Sequence, residues 1–163
     1  MSNINICAQD AFLALYPQSK KPVGVNWPYE GTSQEQALAA NGNLGLLLGP
    51  KSDVMDVDLD CTEAKEMAEL ILPIPFAKFD RGTSDSGHYL YRATTCGPTK
   101  KFSGNGPKST LVELRGDGSQ TMIPPSIHPN GSHLCFTDLN QEVTEVEYAD
   151  LLKSVSFLAA CSE

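Results

Sequence analysis

The run DVMDVDLD, residues 53–60, alternates acidic and apolar side chains with a period of two. That is the period of a β-strand, whose successive side chains point to opposite faces. As a strand it directs Val57 and Leu59 one way and Asp56, Asp58 and Asp60 the other. Three carboxylates on one face repel one another, and burial raises their pKa values. A cation neutralises such an arrangement, and oxygen donors select Mg²⁺, Mn²⁺ or Ca²⁺. A calcium EF-hand counted from Asp56 fails, because its sixth and twelfth places hold Cys61 and Met67 instead of Gly and Glu. The plainer alternative is an exposed strand with solvated acids. It sits poorly with NLGLLLG (43–49) just upstream, an apolar run that reads as a buried strand. A strand with D-x-D is a common way to hold two divalent ions for phosphoryl transfer, given a third acid from another strand and a phosphate-binding group.

Working outward, TEAKEMAELIL (62–72) predicts a helix capped by Thr62, with Pro73 and Pro75 beyond its end. FAKFD (76–80), GHYLYRA (87–93), TLVELRG (110–116), SQTMIPP (119–125) and HLCFT (133–137) read as short strands between turns. Near the start, Ile6, Phe12, Leu13 and Leu15 suggest a short helix closed by Pro17, and residues 17–31 read as loop. Thr32 with Glu35 forms a capping-box pattern ahead of another short helix. A last helix is expected over about 144–160, with Thr144 and Glu147 as its capping box and Leu151, Leu152, Val155, Leu158 and Ala159 on one face. Strands in the middle and helices at the ends predict an α+β fold around a mainly antiparallel sheet. The 163 residues predict one domain, 1–163.

The net charge of −8 argues against a general nucleic-acid binder. Its distribution weakens that argument. Between Lys78 and Arg115 the chain is net +4, against −12 elsewhere, so a local basic zone could hold a phosphate-bearing partner. The five cysteines lie too far apart for a C-x₂₋₄-C zinc site, and they read as reduced thiols. Neither a secretory signal nor a membrane span is visible, which predicts a cytoplasmic protein with no membrane partner.

Ser86-Gly87-His88 opens the strand GHYLYR, and Glu113 lies in LVELRGDG. An acidic strand, then S-x-H, then a strand with one acid resembles the archaeo-eukaryotic primase superfamily. The closer similarity is to bifunctional primase/polymerase (prim-pol) domains of plasmids, phages and other mobile elements. YPQSKKPVGVNW, GNLGLLLG, DVDLDC followed by Glu63-Ala64, FDRGTSDSGHYLYR and VELRGDGSQTMIPPSIHPNG are each similar to family signatures, over about residues 10–137. The resemblance implies a primase/polymerase (RRM-like) core with a mainly antiparallel mixed sheet flanked by helices. It implies Asp58, Asp60 and Glu113 as ligands of two Mg²⁺ or Mn²⁺ ions, with Asp56 a third ligand on that strand or an acid behind it. It implies His88 as the contact to the phosphates of a nucleoside triphosphate. Arg81, Ser84 and Ser86 could donate to the same phosphates, or simply form a polar turn. Arg115 could reach a phosphate or pair with Glu113, and Gln120 follows a Gly-bearing turn beside the nucleotide. Pro124-Pro125-Ser126 and His128 read as a rigid loop flanking the site, and Lys20 and Lys21 as solvated loop charges. Lys100, Lys101 and Lys108 could track the backbone of a single-stranded DNA template and primer, or form a flexible solvated loop.

The activity implied is template-directed nucleotidyl transfer, making or extending primers during replication of a mobile element, with a separate or fused helicase as partner. Two alternatives stand beside it. One is a non-catalytic module that binds nucleotide or single-stranded DNA. The other, weaker, is a metal-dependent phosphoesterase that uses water as nucleophile.

Overall fold

A computed structural model of the chain describes residue 4 and residues 9–83, 85–106, 109–140, 142 and 145–163. In chain order its elements are β1 (Phe12–Leu15), α1 (Gln34–Ala39), β2 (Asn43–Leu47), β3 (Val54–Leu59), α2 (Thr62–Ile71), β4 (Ala77–Asp80) and β5 (Gly87–Thr95). They continue with β6 (Lys100–Ser103), β7 (Thr110–Arg115), β8 (Gln120–Ile123), β9 (Cys135–Leu139), β10 (Val146–Glu147) and α3 (Tyr148–Cys161). The architecture is α+β.

The acidic strand β3 lies inside a seven-stranded sheet of order β6-β7-β3-β5-β4-β9, between β7 and β5. Every pairing along that path is antiparallel; only β10 runs parallel, against the far end of β5. A separate three-stranded sheet, β1-β2-β8, is also antiparallel. The chain therefore builds two sheets where the sequence predicted one. Strand partners such as β2 and β8 are far apart in sequence, and alternation within each strand does not identify them.

One apolar layer joins the small sheet to the large one, with Leu44, Leu46 and Ile123 against Phe76, Phe79 and Leu90. The second layer lies under α2 and α3. There Met55, Val57, Leu59, Tyr89, Tyr91, Val112 and Leu114 pack with Ala64, Ala68, Leu151, Val155 and Leu158. The Tyr148 ring lies against Gly97, where a side chain would collide with it, and its hydroxyl donates to Pro98 O at 2.8 Å.

One expected helix is a strand, and three expected helix starts shift. Phe12, Leu13 and Leu15 form strand β1, with Phe12 opposite Leu46, and Ile6 lies outside the described residues. A short apolar run carries no helical period, so pairing with β2 decides it. At α1 the capping box is Ser33 with Gln36, because the Thr32 backbone is already bonded to Phe12. At α2 the N-cap is Cys61, without a side-chain bond, and Thr62 is the first helical residue. The C-terminal helix starts at Tyr148, since Val146 and Glu147 are held in β10, and Glu147 caps it without a side-chain bond. Thr144 lies outside the described residues. Cys61, Cys96, Cys135 and Cys161 are all free thiols. Among the described residues no helix is long and apolar enough to cross a membrane.

Candidate active site

The register of β3 builds the site. Asp58 stands opposite His88 of β5 on one side and Glu113 of β7 on the other, while Asp56 stands opposite Leu90 and Arg115. Directly paired residues share a sheet face. One face thus gathers Asp56, Asp58, His88, Glu113 and Arg115, with Asp60 one step past the strand end. Asp60 is held there by its backbone N–H, which donates to Leu111 O at 3.0 Å. The intervening Met55, Val57 and Leu59 are fully buried in the layer beneath the helices. Alternation in the sequence is therefore a division between packing and chemistry.

Asp58, Asp60 and Glu113 each offer a carboxylate oxygen, and these oxygens lie within 4.8 Å of one another. Burial, then the charge of Asp56, raises the Asp58 carboxyl above its ordinary value, against the opposing pull of His88 and Arg115. The Asp60 side chain reaches solvent, yet partial loss of water and then the Asp58 charge push it up to about 6. Asp58 and Asp60 resist ionisation through loss of water and then through mutual repulsion, which a hard divalent cation would relieve, and the all-oxygen donor set suits one. Arg115 supplies an internal counter-charge, with Nε 3.2 Å from Glu113 Oε2 and 3.6 Å from Asp58 Oδ2. Of the two readings of Arg115, the ion pair with Glu113 is the contact present.

Asp56 is set apart from that trio. It is completely buried, and its Oδ2 lies 2.9 Å from Nδ1 of His88. Its other oxygen, Oδ1, has no hydrogen-bond partner among the described residues. Burial alone would raise the Asp56 pKa, but the His88 charge and hydrogen bond, with Arg115, bring it below the ordinary value. For His88, burial works to lower the pKa and Asp56 and Asp58 outweigh it, so the imidazole is held above its usual range. The ring of Phe79 stacks on the imidazole, with centroids 4.5 Å apart and planes 6° from parallel.

Above this floor lies a cleft of about 220 Å³, where the small sheet meets the acidic face. Lys20, Arg81, Ser86, Arg115, Gln120 and His128 line it, along with Asp58, Asp60, Asp80 and His88. Arg81 donates through Nη2 to Ser86 Oγ at 2.9 Å. Lys65 fastens the loop before β5, donating to Asp80 Oδ2 at 2.8 Å and to Thr83 O at 2.6 Å. Gln120 donates through Nε2 to Lys20 O at 3.0 Å, while its buried Oε1 has no hydrogen-bond partner among the described residues. Ser126 exchanges hydrogen bonds with the Leu44 backbone, a structural role, whereas His128 two residues on faces the cleft. Burial, then the charges of Lys20 and Arg81, hold the His128 pKa down.

The structure thus brings together Asp56, Asp58, Asp60, His88, Glu113, Arg81, Ser86, Arg115 and Gln120. Lys100 and Lys101 lie outside the cleft, exposed on edge strand β6, with Lys101 opposite Glu113 and Lys100 opposite Leu114. Ser84 and Lys108 lie outside the described residues. Lys20, read as a solvated loop charge, is exposed and also lines the cleft, as do Asp80, Thr121 and Met122, which the sequence did not single out. The only local signal for Lys20 was its place in a family-like segment; its approach to Asp58 depends on contacts about a hundred residues apart in the chain.

The family model for the bifunctional DNA primase/polymerase N-terminal domain matches residues 8–147. A search of curated proteins finds no match to the chain.

Proposed function

The chain belongs to the bifunctional DNA primase/polymerase N-terminal family, and we propose that it performs template-directed nucleotidyl transfer, making or extending primers on single-stranded DNA. The observation that carries this reading is the convergence of Asp58, Asp60 and Glu113, the first two lining a cleft that Lys20, Arg81 and Arg115 also line. Those three carboxylates would hold two Mg²⁺ or Mn²⁺ ions, which when bound would lower the pKa of an attacking 3′-hydroxyl and neutralise a triphosphate. His88, Arg81 and Ser86 are the groups we assign to the phosphates, with Lys20 added from its position in the cleft. Arg115 positions two of the acids by pairing with Glu113 and approaching Asp58. Asp58 is buried and His88, Arg81 and Arg115 are partly buried, which strengthens their interaction with a phosphate tail or its ions. The setting we infer is replication of a mobile element, in concert with a helicase.

The test is incorporation of labelled nucleotide on a primed template with Mg²⁺ or Mn²⁺. Asp58→Ala and Glu113→Ala are expected to abolish incorporation while circular dichroism remains that of the folded chain. Wild-type-like incorporation by either variant removes the assignment. One observation favours a second reading, a non-catalytic nucleotide or single-stranded DNA module: Arg115 pairs with Glu113 and approaches Asp58, so a protein cation balances part of the acidic charge. Binding of single-stranded DNA by the wild-type chain without incorporation would select that reading.

A further inference from the structure

We propose that Asp56 is a positioning residue, which grips the His88 imidazole by Nδ1 and so presents Nε2 to the phosphate tail of a bound nucleotide. This rests on the reading of the cleft as a nucleotide site. Asp56 is not one of the three carboxylates that converge as cation donors. It is fully buried, and its Oδ2 lies 2.9 Å from Nδ1 of His88. An ionised carboxylate can only accept, so Nδ1 must carry the proton and donate it. Nε2 is then left on the cleft side, 3.6 Å from Asp58 Oδ1, too far for a good hydrogen bond and free for a ligand.

The ring is held in two further ways. Phe79 stacks flat on it, which restricts rotation of the imidazole plane. The β3 and β5 ladder makes Asp56 and His88 diagonal neighbours on rigid central strands, since His88 is paired with Asp58, two residues on. A purely structural role explains Asp56 poorly. A buried carboxylate with one oxygen unpartnered is costly, and an apolar side chain would fill the same place without that cost. Orientation of a histidine through its second nitrogen is a return that offsets it.

The experiment is long-range nitrogen–proton NMR of the His88 ring in the full chain, without metal or nucleotide and at an alkaline pH where the ring is neutral, combined with nucleotide kinetics. Wild type and Asp56→Asn, whose amide oxygen still accepts, are expected to show a protonated Nδ1. Asp56→Val is expected to lose that preference and to raise the KM for nucleotide about tenfold, the equivalent of one hydrogen bond, with kcat little changed. Asp56→Asn should recover most of the KM. An unprotonated Nδ1 in wild type overturns the proposal, as does an unchanged KM in folded Asp56→Val. If Asp56→Val does not fold, the wild-type and Asp56→Asn spectra decide the matter. Failure of wild type to incorporate nucleotide would sink the polymerase reading instead, and the ring spectra, recorded without substrate, would still report on the grip.

Discussion

The two faces of β3 belong to six consecutive residues and obey opposite rules. On one, Met55, Val57 and Leu59 are all fully buried among aliphatic and aromatic neighbours from two helices and two strands. On the other, Asp56 and Asp58 are buried nearly as deeply, 0% and 8% exposed, yet among charges. The first face contributes to stability in the ordinary way, by removing apolar surface from water. The second opposes folding through desolvation and like-charge repulsion, relieved in part by His88 and Arg115. A fold that keeps such a face on its central strand has a stable scaffold behind it and a chemical purpose in front.

The largest effect that tests this contrast is functional. Asp58→Asn should reduce nucleotide incorporation to background and leave the metal-free Tm equal or higher, because the buried Asp58 carboxyl already resists ionisation. A substantial fall in Tm would show that the acidic face stabilises after all. Leu59→Ala, one residue away on the other face, should do the reverse. It should cost about 2–5 kcal/mol in denaturant unfolding while incorporation by the folded fraction persists.

A pH series sharpens the comparison. The folded-state pKa values of Asp58, Asp60 and His88 are raised, so each contributes stability that is present at low pH and lost as pH rises through that value. For Asp60 the window runs from its ordinary 3.8 to about 6, and for His88 it begins at 6.5. The depressed Asp56 acts in the opposite sense only below 3.8. The Tm of the protein in a chelator should therefore fall between pH 5 and 8, modestly because Asp60 reaches solvent. Added Mg²⁺ should flatten or reverse that trend, and a chelator-treated Tm that climbs across this range would contradict it. The smallest effect is expected at β6. Replacing Lys100 and Lys101 together by Ala should weaken single-stranded DNA binding slightly and reduce the slope of log K against log salt by roughly 1.4, if both contact phosphates. An unchanged slope would remove them from the binding track.

How far the sequence could go depended on the distance over which each feature is decided. Alternation in 53–60 is local, and it specified the strand, its two faces and the carboxylates on one of them. Glu113 could be singled out only through the resemblance, because nothing within LVELRG marks its acid as the one that meets Asp58. The Asp56–His88 contact joins residues 32 apart, and strand register, invisible in sequence, creates it. The place of Lys20 at the cleft is likewise set by a distant contact, with Gln120. The N-terminal strand is a different case: Phe12, Leu13 and Leu15 are compatible with either element, and the partner β2 settles the choice. At α1 the shift from Thr32 to Ser33 is a competition, in which a backbone bridge to Phe12 claims the first candidate.

The last helix has a practical bearing on where the polypeptide can be cut. The family match stops at residue 147, just before α3 begins. Yet Leu151, Val155 and Leu158 of that helix are 0–1% exposed and roof the aliphatic side of the acidic strand. A version trimmed at the edge of the match would strip Val57 and Leu59 of part of their cover and invite self-association through the bared patch. The smallest durable fold is defined by its hydrophobic roof and not by the limits of recognisable kinship.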